Sequence, residues 1–203
     1  MGFGAAGSDR VFSTRALSKF VAALEAREAP VIVDLGLAVG PNVTFLWDRL
    51  GCKLHFTAFL SVGESDAVDV AAELERRRAA RRLEHAGNSA DGVLCWDVFD
   101  YLDDEAATAL AREVTRVLKP GGVALLCHGP GERIVTEPVQ YEILDDRTLR
   151  YRPLAMARPE PRVWESRPFT DLFAGLTIRN SFLLTNGMRE VVLRKPSSAT
   201  TAN

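Results

Sequence analysis

The chain predicts an α/β fold, a doubly wound, seven-stranded, mostly parallel sheet closed by a C-terminal antiparallel hairpin. Three observations carry that prediction. Short β-branched apolar runs alternate with helical apolar stripes, a glycine-bearing strand-to-helix turn spans residues 34–42, and Asn186-Gly187 separates two strand-like runs near the end. Alternating strands and helices mark βαβ units, and Asn-Gly is the strongest short-range hairpin signal.

Each element follows from local chemistry. Leu17, Phe20, Val21 and Leu24 form one stripe on a helix begun by Ser13 or Thr14. Val31-Ile32-Val33, after Pro30, is too brief for a helix and apolar on both faces, as a central parallel strand should be. Pro41 suits the first turn of the next helix, where its missing N–H costs nothing. Val43, Leu46, Trp47 and Leu50 are the buried face expected there. Lys53 to Leu60 reads as a second strand. Ser61-Val62-Gly63-Glu64 reads as a capping box opening a helix to about Leu83, and a short third strand is expected near Leu83 to His85.

Val93 to Trp96 supplies a fourth strand. A helix from about Asp104 then carries Ala107, Leu110, Val114, Val117 and Leu118 on one side and stops at Lys119-Pro120-Gly121-Gly122, where proline and glycine end it. Val123 to Cys127 is a fifth strand. Within an insertion at about 129–168, Val139 to Arg152 predicts a hairpin around Asp145-Asp146-Arg147, followed by Pro153, Pro159, Pro161 and Pro168. A short helix around Thr170 to Ala174 leads into the closing strands, Thr177 to Leu184 and Met188 to Leu193.

With 203 residues, 47% hydrophobic and 26% charged, one globular domain over residues 13–195 is expected, flanked by loose tails at 1–12 and 196–203 that lack apolar periodicity. A formal charge of -2 excludes a whole-protein field for nucleic acid or an anionic membrane. No apolar run approaches the roughly 18 residues of a spanning helix, and no basic segment precedes an apolar one at the start, so a cytoplasmic, membrane-free location is expected. Cys52, Cys95 and Cys127 are odd in number and widely spaced, which predicts buried, reduced thiols and no metal site.

The stretch Gly92-Val93-Leu94-Cys95-Trp96-Asp97-Val98-Phe99-Asp100-Tyr101-Leu102, the helix from Ala109 ending in Arg116-Val117-Leu118-Lys119-Pro120-Gly121-Gly122, and the turn Asp34-x-Gly36-x-Ala38-x-Gly40 resemble the class I S-adenosylmethionine-dependent methyltransferases. The resemblance covers roughly Ser13 to Lys195. It implies S-adenosylmethionine as cofactor, with its amino-acid end against Asp34, Gly36, Leu37, Ala38, Gly40 and Asn42. Glycine there has no Cβ to hold a ligand away from the backbone. It further implies contacts from Leu60 and Ser61 at the end of the second strand, from Ala86 beyond the third and from Trp96 beyond the fourth. The pattern is degenerate: Ala38 replaces the middle glycine, and Leu60-Ser61 replaces the acid that binds the ribose hydroxyls. A dinucleotide site fails on spacing, because Ala38 and Pro41 stand where its fingerprint needs glycine.

Methyl transfer needs alignment more than acid or base, because the sulfonium is already activated. The candidate catalytic side chains are Asp97 and Tyr101 after the fourth strand and His128 after the fifth. Each position has a plainer reading: Trp96 as a core aromatic, Asp97 as a helix cap, Tyr101 as packing, His128 as a solvated loop residue. Arg76, Arg77, Arg78, Arg81 and Arg82 form a basic cluster. Glu73 pairs with Arg77 in helical spacing and no aromatics lie nearby, so a solvated face is favoured over RNA contact and nucleic acid is disfavoured as a partner. The 129–168 insertion, with Tyr141, Tyr151, Arg152 and Trp164, is the expected surface for an acceptor or protein partner. Two functions stand: a methyltransferase for a small-molecule or protein acceptor, and a catalytically silent methyltransferase-like binding or assembly module.

Overall fold

A computed structural model describes residues 10–57, 82–129, 139–153, 164 and 166–197. The described elements run β1 (Arg10–Ser13), α1 (Ala16–Leu24), β2 (Val31–Asp34), α2 (Gly40–Leu50), β3 (Lys53–Phe56) and β4 (Ala90–Trp96). A 3-10 turn (Val98–Tyr101), α3 (Asp104–Val117), β5 (Leu118–His128), β6 (Val139–Asp145), β7 (Thr148–Pro153), α4 (Ser166–Asp171), β8 (Thr177–Leu183) and β9 (Arg189–Arg194) follow.

The main sheet has the order β3-β2-β4-β5-β9-β8. Its first four members pair in parallel, and β9 and β8 close it antiparallel. Every residue of β4 is buried, as a central strand covered on both faces requires. Alternation sends Val93 and Cys95 into a core with α3, and Leu94 and Trp96 into a core with α1. Gly92 lies on the α1 side, where a Cβ would sit 2.7 Å from Phe20 Cζ and 3.0 Å from Leu24 Cδ1. Gly92→Ala is therefore expected to cost about 1–3 kcal/mol through overpacking, read as a shift in urea midpoint. A change within about 0.5 kcal/mol would show that α1 yields freely.

The helix stripe on α1 is as expected, with Leu17, Phe20, Val21 and Leu24 all buried, and Thr14 Oγ1 accepts the Leu17 N–H at 3.4 Å. The hairpin at 139–153 turns at Asp145-Asp146-Arg147, where Asp145 accepts the Arg147 N–H. All three cysteines are free and buried.

Several expectations are corrected. Residues 10–12 are not tail: β1 pairs with β7, giving a separate three-stranded sheet in the order β1-β7-β6. Leu46 is buried as expected, but Val43 and Trp47 do not join it on the buried face of α2; Trp47 is 62% exposed, and Asn42 points inward instead. The reason is Asn42, whose amide donates to Tyr141 O at 2.9 Å and accepts from Ile143 N–H at 2.7 Å, seating α2 on the edge of β6. No strand forms at 83–85. The Leu83 N–H donates to Glu113 and its carbonyl accepts from Arg116, so side chains of α3 satisfy the backbone that a ladder would have used. The main sheet accordingly has six strands among the described residues.

Helix α3 ends at Val117, not at the Pro-Gly-Gly unit. Leu118 is already extended and pairs with Ala90. Lys195 Nζ donates to Thr115 O and Leu118 O at 2.8 and 2.7 Å, supplying donors at the helix end. Gly121 takes φ 76°, which keeps glycine necessary there as the strand turns. The capping box at 61–64, the helix proposed to follow it, Leu60, Ser61 and the arginines from 76 to 81 lie outside the described residues.

Candidate functional site

Strand β2 delivers Asp34 to the carboxyl edge of the parallel sheet, where open α/β folds place ligands. Asp34 is fully buried. Its Oδ1 accepts the Gly36 N–H and the Trp96 indole N–H, both at 2.8 Å, while Oδ2 has no hydrogen-bond partner among the described residues. Burial pushes its carboxyl up from 3.8 to about 7, against the two hydrogen bonds that lower it.

Asp91, at the other end of β4, is the instructive contrast. It accepts from Lys119 at 2.7 Å, from the Val31 N–H at 2.9 Å and from Arg27. Burial raises its carboxyl, but these three partners outweigh burial and hold it below the usual range. Asp91 is a satisfied structural carboxylate. Asp34 has one oxygen left over.

Trp96 ends β4 with φ 47°, a left-handed conformation costing on the order of 1–2 kcal/mol for a bulky residue. Its ring stacks on Tyr141 of β6, centroids 5.1 Å apart and planes 9° from parallel. A Cβ on Gly36 would lie 2.7 Å from Trp96 Cδ1 and 2.9 Å from Nε1. Glycine is thus required at position 36 for close approach, and what approaches in this conformation is the protein's own indole. The recess left between Leu35–Leu37, Trp96–Val98 and Val139–Tyr141 has a volume of about 20 Å³. That holds about one water.

The outer part of the turn differs. Ala38 and Gly40 are exposed, and none of the described residues lies within 4 Å of a Cβ built on Gly40. Leu37 is half-buried and lines the recess. Asn42 is turned to the hairpin through the two bonds given above. Ala86 is exposed in the turn entering the amino end of β4, opposite the end that carries Trp96, and its carbonyl accepts from Ser89 Oγ at 2.7 Å. The structure therefore brings together Asp34, Gly36, Leu37 and Trp96 and leaves Ala86 apart.

Among the candidate catalytic groups, Asp97 and Tyr101 meet: the Tyr101 hydroxyl donates to Asp97 Oδ2 at 3.3 Å, and both residues are buried. Asp97 makes no side-chain cap bond to the turn it precedes, so capping does not account for it. His128 is not a solvated loop residue. It is the last residue of β5, has no exposed surface and packs against the Phe169 ring at 4.2 Å. Burial, reinforced by the Arg189 charge, lowers it from 6.5 to about 4, and neither ring nitrogen has a hydrogen-bond partner among the described residues. It is a neutral imidazole at pH 7.

One participant, Asp100, is not singled out by the sequence. Asp100 accepts the Gly129 N–H at 3.1 Å and ties the ends of β4 and β5. A lone acid inside Val98-Phe99-Asp100-Tyr101 was the available signal. Tyr141, expected on the acceptor surface, closes the recess, and no local pattern pairs it with Trp96, 45 residues earlier in the chain. Among the described residues, no group of three or more His, Cys, Asp or Glu could hold a metal ion, and no helix is long and apolar enough to cross a membrane.

Residues 32–122 match the family model of a methyltransferase domain. A search of curated proteins returns no match. Among solved structures, the chain is similar to the Burkholderia thailandensis 1,6-didemethyltoxoflavin-N1-methyltransferase with bound S-adenosylhomocysteine, at TM-score 0.52 and 16% identity over 90% of this chain and 79% of that one. It is also similar to an S-adenosylmethionine-dependent methyltransferase from Aquifex aeolicus, at TM-score 0.54 and 15% identity over 88% of each chain. The [4+2]-cyclase SpnF matches at TM-score 0.55 and 14% identity, over 90% of this chain and 80% of that one. These likenesses show a shared fold, and the cyclase shows that the fold carries other activities as well.

Proposed function

We propose that the chain, whose residues 32–122 match a methyltransferase domain, is a class I S-adenosylmethionine-dependent methyltransferase for a small-molecule or protein acceptor. Asp34 carries the reading. A fully buried carboxyl with an unpartnered oxygen, at the mouth of a glycine turn, is costly as packing and useful as a binding group. The bound cofactor would supply an activated methyl group, leaving the protein to orient the acceptor. Asp97, which lines the recess and is held by Tyr101, is the side chain best placed for that task. The acceptor side is assigned to the hairpin, through Gln140 and Tyr141. His128 is sealed by Phe169 and is given no part in proton transfer.

The residues at the turn do not fit the cofactor's amino-acid end in this conformation, because Trp96 fills the space beside Gly36. That observation favours the second reading, a catalytically silent binding module. A recess of about 20 Å³ stands against the roughly 300–1,000 Å³ of ordinary small-molecule sites. Calorimetric titration with S-adenosylmethionine and S-adenosylhomocysteine separates the two. Binding in the micromolar range is expected for the enzyme, and its absence at millimolar ligand with folded protein would establish the silent module.

A further inference from the structure

We propose that Trp96 is a ligand-displaceable latch: its indole occupies the ground beside Gly36 and Asp34 that an aminoacyl group bound at this turn would take, and its release loosens the β6 edge of the hairpin. The inference rests on the methyltransferase reading of the turn. It is carried by a closed circuit of contacts. Asp34 Oδ1 accepts from the Trp96 indole, the indole stacks on Tyr141, and the Tyr141 carbonyl accepts from Asn42. Asn42 lies two residues beyond Gly40, so the circuit returns to the turn where it began.

Two features make this circuit one that can open. Trp96 sits at φ 47°, a conformation held by its contacts and not by intrinsic preference. Its partner oxygen is also one that a better donor can claim, because an ammonium group offers Asp34 a charge-assisted bond in place of a neutral indole N–H. Indole and ligand cannot share the space. Even a single added carbon on Gly36 would come within 2.7 Å of the ring. Once the indole leaves, Tyr141 loses its stacking partner, and the strand edge that Asn42 holds at Tyr141 O and Ile143 N is the first to feel it. The rest of the hairpin stays packed through Ile143, Leu149 and Tyr151, which belong to the α1-side core.

The chain has three tryptophans, Trp47, Trp96 and Trp164, so a Trp47→Phe, Trp164→Phe protein reports on Trp96 alone. S-adenosylhomocysteine is expected to shift its emission to the red and to speed hydrogen exchange at the Ile143 amide. Adenosine, which lacks the aminoacyl tail, is expected to do neither. Trp96→Ala should raise affinity for S-adenosylhomocysteine by about tenfold or more, and Trp96→Phe, which keeps the ring and loses the N–H, should give a smaller gain and serves if the alanine variant does not fold. Equal affinity of wild type and both variants, with unchanged emission, would overturn the latch and leave the methyltransferase reading standing. An equal emission shift with adenosine would overturn it too. Failure of every form to bind would remove the cofactor site itself, and the latch with it.

Discussion

Replacing Asp34 with asparagine is expected to leave stability near that of wild type below about pH 4 and to raise it above wild type at pH 8, by on the order of 4 kcal/mol. The folded carboxyl titrates at about 7 against 3.8 for an unperturbed group, with burial as the main cause. Between those values the folded state holds a proton that the unfolded state has released, so stability falls as pH rises. The contribution is complete below the unfolded value near 3.8 and is lost as the pH passes through about 7. The amide of the Asp34→Asn variant does not titrate, and its carbonyl can still accept from Gly36 and Trp96. Urea denaturation of both proteins from pH 4 to 8 measures the effect as a widening gap. A gap that stays constant across that range would mean that Asp34 is ionised throughout and has a donor beyond the two described.

Glu190→Ala should be the most damaging single substitution away from the recess, at about 2–4 kcal/mol. Glu190 is 1% exposed on β9, and its Oε2 accepts the N–H groups of Arg15 and Ala16, each at 2.8 Å. Helix α1 has no cap from its own Arg15 side chain, so a carboxylate 174 residues away does the work of the first turn, assisted by the helix dipole. Removal leaves two N–H groups without their acceptor beside a core that contains Leu17 and Phe20. Thermal melting should show a fall of roughly 4–16 °C. Gln at the same position, which retains an acceptor oxygen, should restore at least half of the loss. A full effect from Gln would instead assign the stabilisation to charge alone.

How much was legible depended on how far apart the interacting residues lie. The α1 stripe, the buried run of β4, the hairpin turn at 145–147 and the Asn186-Gly187 turn were readable, because each is decided within a few residues by side-chain period or turn chemistry. Asp34 and Gly36 were readable as a site for the same reason. The face of α2 was misjudged because Val43 and Trp47 follow the apolar pattern, while the contact that orients the helix is a polar one, from Asn42 to a strand edge about 100 residues on.

The amino-acid order alone determined the α/β class, the glycine turn after β2 and the resemblance that this turn carries. Only the tertiary structure decided what occupies that turn. Gly36 permits close approach by any group, and a local motif does not specify which one arrives; the meeting of Trp96 from β4 with Tyr141 from the hairpin is set by sheet register and by the packing of one layer on another. The same holds for the proton on Asp34. Its identity is written at one position, but its affinity follows from the removal of water on every side, which is a property of the assembled fold.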